Sequence, residues 1–381
     1  MAARRGNCVF RRCSFIVHNL IKMASTVYFT PGPAHLYPTV PQHLQNGLNQ
    51  YVFSQSHRSQ SFKDLYKRAD EALRALFTLP ADYEIYFTGS ATEIWERSVQ
   101  SLVAQSTFHL VNGSFSKKYL DHAKWLGRDA QALQKPFGQG FDLTDLEIPA
   151  ATELLTVTQN ETSSGVCVPV ADIHALRERF PQPLISVDMV SGAPYAALDF
   201  SKVDMAFFSV QKGFGLPAGL GVWLLNQRCL DKAAILEGKQ YTGGHYSVKS
   251  LHEQYAQFQT PCTPNVLDIY LLAHVAEDML AKGVDVIRQE TEIKAQKLYS
   301  FIEESSLFSP FVQEKAHRSP TVVVADVQGK PAAEVIAALK KEGLVVGSGY
   351  GNFEESQIRI ANFPAVSEEA VDRLIQAMQK F

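Results

Sequence analysis

The stretch Phe207–Leu225, FFSVQKGFGLPAGLGVWLL, decides how this chain is read. Two apolar, strand-like runs flank a turn built from glycine, proline and one lysine, Lys212. A lysine at the end of a buried strand is partly desolvated. That disfavours its charged form and makes the free amine a nucleophile toward aldehydes. Gly213, Gly215 and Gly219 let backbone approach a flat ligand closely. Taken alone, the same pattern describes an exposed turn lysine, so its meaning depends on what the rest of the chain brings beside it.

Working outward, PLISVDMVSGAP (183–194) ends a second apolar run on Asp188. A carboxylate at that depth pairs with a protonated pyridine nitrogen and keeps the ring an electron sink. As an isolated residue it would equally cap a helix or turn. YFTGSATEIWERS (86–98) is a strand, a run of small residues and an amphipathic helix. Backbone N–H groups at such a helix start suit a phosphate, and an ordinary N-cap at Ser90 or Thr92 is the plain alternative. TVTQNETSSGV (156–166) carries a strand into a polar turn, where a hydroxyl can reach a ring oxygen or simply close the turn.

The same alternation runs through the chain. TVYF (26–29), EIYFTG (84–89), TFHLVNG (107–113), LLTVTQNE (154–161), PLISVDMV (183–190), MAFFSVQK (205–212) and LGVWLLN (220–226) read as strands. TEIWERSVQSLVAQ (92–105) and VADIHALRERF (170–180) read as helices between them. This predicts an α/β fold with a largely parallel sheet, whose ligands gather at the carboxyl ends of the strands. The polar stretch 237–264 reads as a long excursion with no core element. Two long helices then lead to a strand–helix–strand–helix pattern in TVVVADV, AAEVIAALKKEGLVV, SQIRIAN and EEAVDRLIQAMQK. The domains expected are a segment over 23–40 that joins the small domain, a large ligand-binding domain over 41–265, and a smaller α+β domain over 266–381.

Composition narrows the class. The chain of 381 residues is 46% hydrophobic and 20% charged, enough for a large core. A net charge of −3 gives no argument for nucleic acid or an acidic membrane surface. No apolar run reaches the roughly 20 residues of a membrane-spanning helix. The five cysteines are odd in number and form no C-x-x-C pair, which points to free thiols in a reducing, cytoplasmic setting and to no metal site. Residues 1–22 hold Arg4, Arg5, Arg11, Arg12 and Lys22 and no acid. This tail reads either as a targeting segment or as a disordered or non-native extension before a start at Met23; the second reading is adopted, and the tail is left out of the fold.

The order strand–GSAT–helix, NET, Asp after a strand, then S-x-x-K resembles the class V aminotransferases of pyridoxal-phosphate (PLP) fold type I. The resemblance runs from Tyr28 to the C-terminus, and YFTPGPAHLYP (28–38) looks like the family's opening Gly-Pro turn. Within the class it is nearest the phosphoserine aminotransferase branch, through SHRSQSF (56–62), NETSSG (160–165) and QKGFGLPAGLG (211–221). The fold implied is a large PLP-binding domain, with a mostly parallel mixed sheet flanked by helices, and a smaller C-terminal domain. The resemblance implies that Lys212 binds PLP covalently, that Asp188 pairs the pyridinium nitrogen and that Thr162 bonds the phenolic oxygen. Ala91, Thr92 and Gln211 would hold the phosphate. Phe115 would replace the Trp that the family usually stacks on the ring. Gln259 and Thr260 would reach the phosphate of the neighbouring subunit, which implies a homodimer. Arg359 would clamp the α-carboxylate, a task suited to its planar fork, and His57 and Arg58 would face the distal anion.

The reaction implied is transamination, with phosphoserine and 2-oxoglutarate giving 3-phosphohydroxypyruvate and glutamate in serine biosynthesis. A related transaminase using alanine or serine with glyoxylate or pyruvate is the alternative. TGSATE lacks the arginine that phosphoserine enzymes often carry in the phosphate loop, and IRIANF departs from their R-A-S-x-Y-N. A catalytically idle PLP-binding protein is a remoter reading, opposed by the Asp188–Lys212 pair. Gln211 stands where cysteine desulfurases usually have histidine.

Overall fold

The computed structural model describes residues 26–381, so the basic stretch 1–22 lies outside the described residues. The chain enters through β1 (Val27–Phe29) and two helices, Val40–Asn49 and Gln60–Phe77. It then lays down β2 (Glu84–Thr88), β3 (Ser106–Val111), β4 (Asp129–Gln134) and β5 (Leu154–Thr158). A short hairpin of β6 (Asn160–Glu161) and β7 (Val166–Cys167) follows. The large sheet is completed by β8 (Leu184–Asp188), β9 (Met205–Ser209) and β10 (Gly221–Leu225).

The seven strands lie in the order β2-β10-β9-β8-β5-β3-β4, and only β10 runs against its neighbours. Both faces are covered, as a parallel sheet requires. Ile85, Phe87, Leu155, Ile185 and Phe208 face the helices Gln60–Phe77 and Val266–Lys282. Their strand neighbours Tyr86, Leu154, Leu184 and Phe207 face the helices Ala91–Leu102 and Ser114–Trp125. This alternation is the two-residue period of a strand buried on both sides.

The second sheet joins β1 to β11 (Phe308–Pro310), β12 (Val322–Val327), β13 (Leu344–Ser348) and β14 (Gln357–Ala361), in the order β1-β13-β14-β12-β11. Its core includes Phe29, Val323, Ile358 and Leu374, the last from the helix Glu368–Met378. The N-terminal strand thus pairs in parallel with β13, far along the chain. Among the described residues no helix is long and apolar enough to cross a membrane.

Three local expectations are corrected. The edge strand β4 is absent from the sequence reading, because DAQALQ alternates between exposed and half-buried residues and holds no apolar run. The stretch 237–264 contains a helix, Val248–Tyr255, whose Ser247 hydroxyl accepts the Ser250 N–H and whose Val248 and Leu251 join the core. AAEVIAALKKEGLVV is not one helix. It stops at Lys341, turns at Gly343, where φ is 78°, and continues as β13.

Candidate active site

Five connections leave the carboxyl ends of β2, β3, β5, β8 and β9 on one edge of the large sheet, and the site assembles there. Lys212 lies three residues beyond β9 in a turn closed by Gly215 N–H donating to its carbonyl at 2.9 Å. Its side chain is buried, and Nζ donates to Thr162 Oγ1 at 3.1 Å and to Ser191 Oγ at 3.0 Å. Thr162 and Ser191 also share a hydrogen bond with each other. Burial lowers the Lys212 pKa to about 8, partly opposed by the Asp188 carboxylate. Near physiological pH a part of the amine is therefore already neutral, where an ordinary lysine is almost wholly charged.

Asp188 ends β8 and is equally buried. Its Oδ1 accepts the Val190 N–H at 3.0 Å and its Oδ2 the Trp95 indole N–H at 3.1 Å. Burial raises this carboxyl to about 6, against the pull of those two donors. A cationic ring nitrogen beside it would hold it ionised.

Phe115 opens the helix Ser114–Trp125 beyond β3, and its ring centroid lies 5.4 Å from Lys212 Nζ. Glu161, from the NET turn, fixes that helix start. Its carboxylate accepts N–H groups from Phe115 (3.3 Å), Ser116 (2.9 Å) and Ser163 (3.1 Å) and the hydroxyls of Ser116 and Ser163. An anion at a helix N-terminus is favoured by the dipole as well as by these donors.

Arg359, on β14 of the second sheet, reaches across to the same place. Nη1 donates to the Thr162 carbonyl at 3.2 Å and Nε to the Ser348 carbonyl at 2.7 Å, which leaves donors of the fork free. Burial lowers its pKa, with Tyr350 and Glu161 opposing. Ala91 and Thr92 start their helix beside the end of β9, where the Ala91 N–H donates to Ser209 Oγ at 3.0 Å. Gln211 adds a buried Oε1 with no partner in the protein. The remaining four candidates make no hydrogen bond to the groups around Lys212. Arg58 is exposed and donates to Gln254 and, at 2.6 Å, to Gln259. His57 neighbours it, and Thr260 lines a narrow cleft with Gly89 and Glu93.

Trp95, Ser191 and Glu161 touch this cluster, yet no role was expected of them. Trp95 falls on the buried face of an amphipathic helix and reads as core. Ser191 sits three positions after Asp188 in a turn, with no signal beyond its type. Glu161 lies within the NET motif, but only the fold shows it wholly buried under the helix Ser114–Trp125.

These residues fit PLP: a buried amine of lowered pKa, a buried carboxylate, an aromatic face and a helix start. The comparisons agree with that chemistry. The chain is 46% identical to a phosphoserine aminotransferase from Cytophaga hutchinsonii whose crystal structure is known, over 93% of this chain and 99% of that one, with a TM-score of 0.92. It is 29% identical to the phosphoserine aminotransferase of Rhodococcus opacus, over 92% of this chain and 93% of that protein. An alanine–glyoxylate aminotransferase from Nostoc shares the fold, with a TM-score of 0.80 at 23% identity over 93% of this chain and 95% of that one. The family described as aminotransferase class-V matches residues 26–374, essentially all of the described structure, and the chain belongs to that family as a PLP-dependent aminotransferase.

Proposed function

We propose that this aminotransferase exchanges the amino group of O-phosphoserine with 2-oxoglutarate, as a cytoplasmic homodimer. The observation that carries the reading is the 46% identity, over nearly the whole of both chains, to the Cytophaga phosphoserine aminotransferase. When bound, PLP supplies an electron sink for the pair left at the substrate's α-carbon. The protein's own groups do the rest. Asp188 holds the ring nitrogen protonated. Phe115 would cover one face of the ring, and Thr162 would bond the phenolic oxygen. Ala91, Thr92 and Gln211 hold the phosphate, joined by Gln259 and Thr260 from the second subunit. Arg359 binds the α-carboxylate through its free donors. Lys212 Nζ would hold the cofactor covalently and, once freed by the donor amine, would serve as the base for the proton on the substrate Cα. Its depressed pKa suits a general base near neutral pH. His57 and Arg58 bind the distal phosphate across the subunit boundary.

A donor screen tests the reading. Phosphoserine, glutamate, serine and alanine are offered against the same keto acids, and phosphoserine with 2-oxoglutarate is expected to give the highest kcat/KM. The second reading, an alanine or serine transaminase with glyoxylate or pyruvate, draws on the missing arginine of TGSATE. It replaces the first if alanine or serine outpaces phosphoserine.

A further inference from the structure

One cation at the mouth of the site has no role so far. Lys118 follows Phe115 by one turn of the helix Ser114–Trp125, so both side chains share a face. Its Nζ lies 5.2 Å from the Phe115 ring centroid and donates a 2.9 Å hydrogen bond to the Tyr350 hydroxyl. Tyr350 follows β13 in the second sheet. Its ring lies 5.4 Å from that of Phe115 and 5.3 Å from the Arg359 guanidinium carbon. Lys118 Nζ is 5.5 Å from the Tyr350 centroid but 2.9 Å from its oxygen, so the ammonium sits beyond the phenol end and not over the ring. Among the described residues no ion pair uses Lys118, whereas the adjacent Lys117 is paired with Asp121 at 2.6 Å. An ammonium has three donors, and Tyr350 takes one.

We propose that Lys118, positioned by Tyr350, joins His57 and Arg58 in receiving the distal carboxylate or phosphate of the substrate whose α-carboxylate rests on Arg359. This rests on the reading of the site given above. A transaminase binds two substrates in turn at one place. A glutamate-like and a phosphoserine-like substrate carry distal anions of different shape. A point charge on a flexible stem accepts either, where a planar arginine fork is more exacting. The ring of Tyr350 ties this second cation to the first, because it faces Arg359 while its hydroxyl holds Lys118.

The test is binding of glutarate and of valerate to the holoenzyme by calorimetry. The two acids have equal chain length and differ by the distal carboxylate. In Lys118→Met the glutarate Kd is expected to rise about ten-fold, equivalent to about 1.4 kcal/mol, while the valerate Kd moves less than about two-fold. Lys118→Arg keeps glutarate within about three-fold of wild type, since the charge is retained. In turnover, KM for glutamate rises in Lys118→Met with kcat little changed. The proposal is overturned if wild type binds glutarate no better than valerate, if Lys118→Met leaves glutarate unchanged, or if both acids weaken equally. Turnover of phosphoserine by the wild type judges the substrate reading separately. A selective loss of glutarate with no phosphoserine turnover keeps Lys118 in this role and removes phosphoserine.

Discussion

At the scale of single residues, the chemistry depends on how burial shifts two groups toward each other. Lys212 is held down to about 8 and Asp188 is held up to about 6, each chiefly by loss of water. The lysine's neutral fraction grows as pH rises through its folded value. The rate at which cofactor-free protein captures PLP is therefore expected to climb with a midpoint near 8. A midpoint near the ordinary 10.5 would mean that the amine is not desolvated as described. Lys212→Ala removes the covalent attachment altogether, so borohydride treatment of the variant with PLP should leave no cofactor on the protein. Retention of label at wild-type level would place the attachment on another lysine.

Among the elements, the helix Ser114–Trp125 links stability to the site. Its first turn would leave backbone N–H groups unpaired, and Glu161 satisfies those of Phe115 and Ser116. Removing a buried acceptor leaves its donors stranded. Glu161→Ala is expected to destabilise the protein by about 1–3 kcal/mol in urea denaturation and to weaken PLP retention, because Phe115 loses its anchor. Unchanged stability would show that water replaces the carboxylate. The same contact explains Gly113: a Cβ there would come within 2.3 Å of Glu161 Cγ, so Gly113→Ala should imitate the loss.

For the whole molecule, the second sheet reaches the large domain where Arg359 donates to the Thr162 carbonyl in the β6–β7 turn. Arg58 and Gln259 bond each other within one chain. If they serve a partner's site, two dead variants should rescue one another. Equal mixing of Lys212→Ala and Arg58→Ala chains, after subunit exchange, is expected to restore about a quarter of wild-type phosphoserine turnover: half the dimers are mixed, and each has one intact site. No recovery would put Arg58 to work in its own chain or nowhere near substrate. Arg58→Ala alone should depress phosphoserine turnover more than alanine turnover.

The amino-acid sequence by itself determined the fold family, the parallel sheet and the positions of Lys212, Asp188 and Thr162. The sheet follows from apolar runs ending in polar turns, a pattern local enough to be seen residue by residue, whereas the family and the parts of those three residues are implied by the resemblance of the ordered motifs to class V aminotransferases. It missed β4, whose polar edge carries no such run, and it merged β13 into a helix because only the turn at Gly343 separates them. The tertiary structure decided what stands beside the lysine. Trp95 on Asp188, Glu161 under the Phe115 helix, Ser191 on Lys212 and Tyr350 between Lys118 and Arg359 are long-range contacts. They arise when separate strand ends are brought to one sheet edge and a second sheet closes over it. Lys212, ambiguous as a turn residue, acquires its lowered pKa from that enclosure, because desolvation is a property of everything packed around a group and not of its neighbours in sequence.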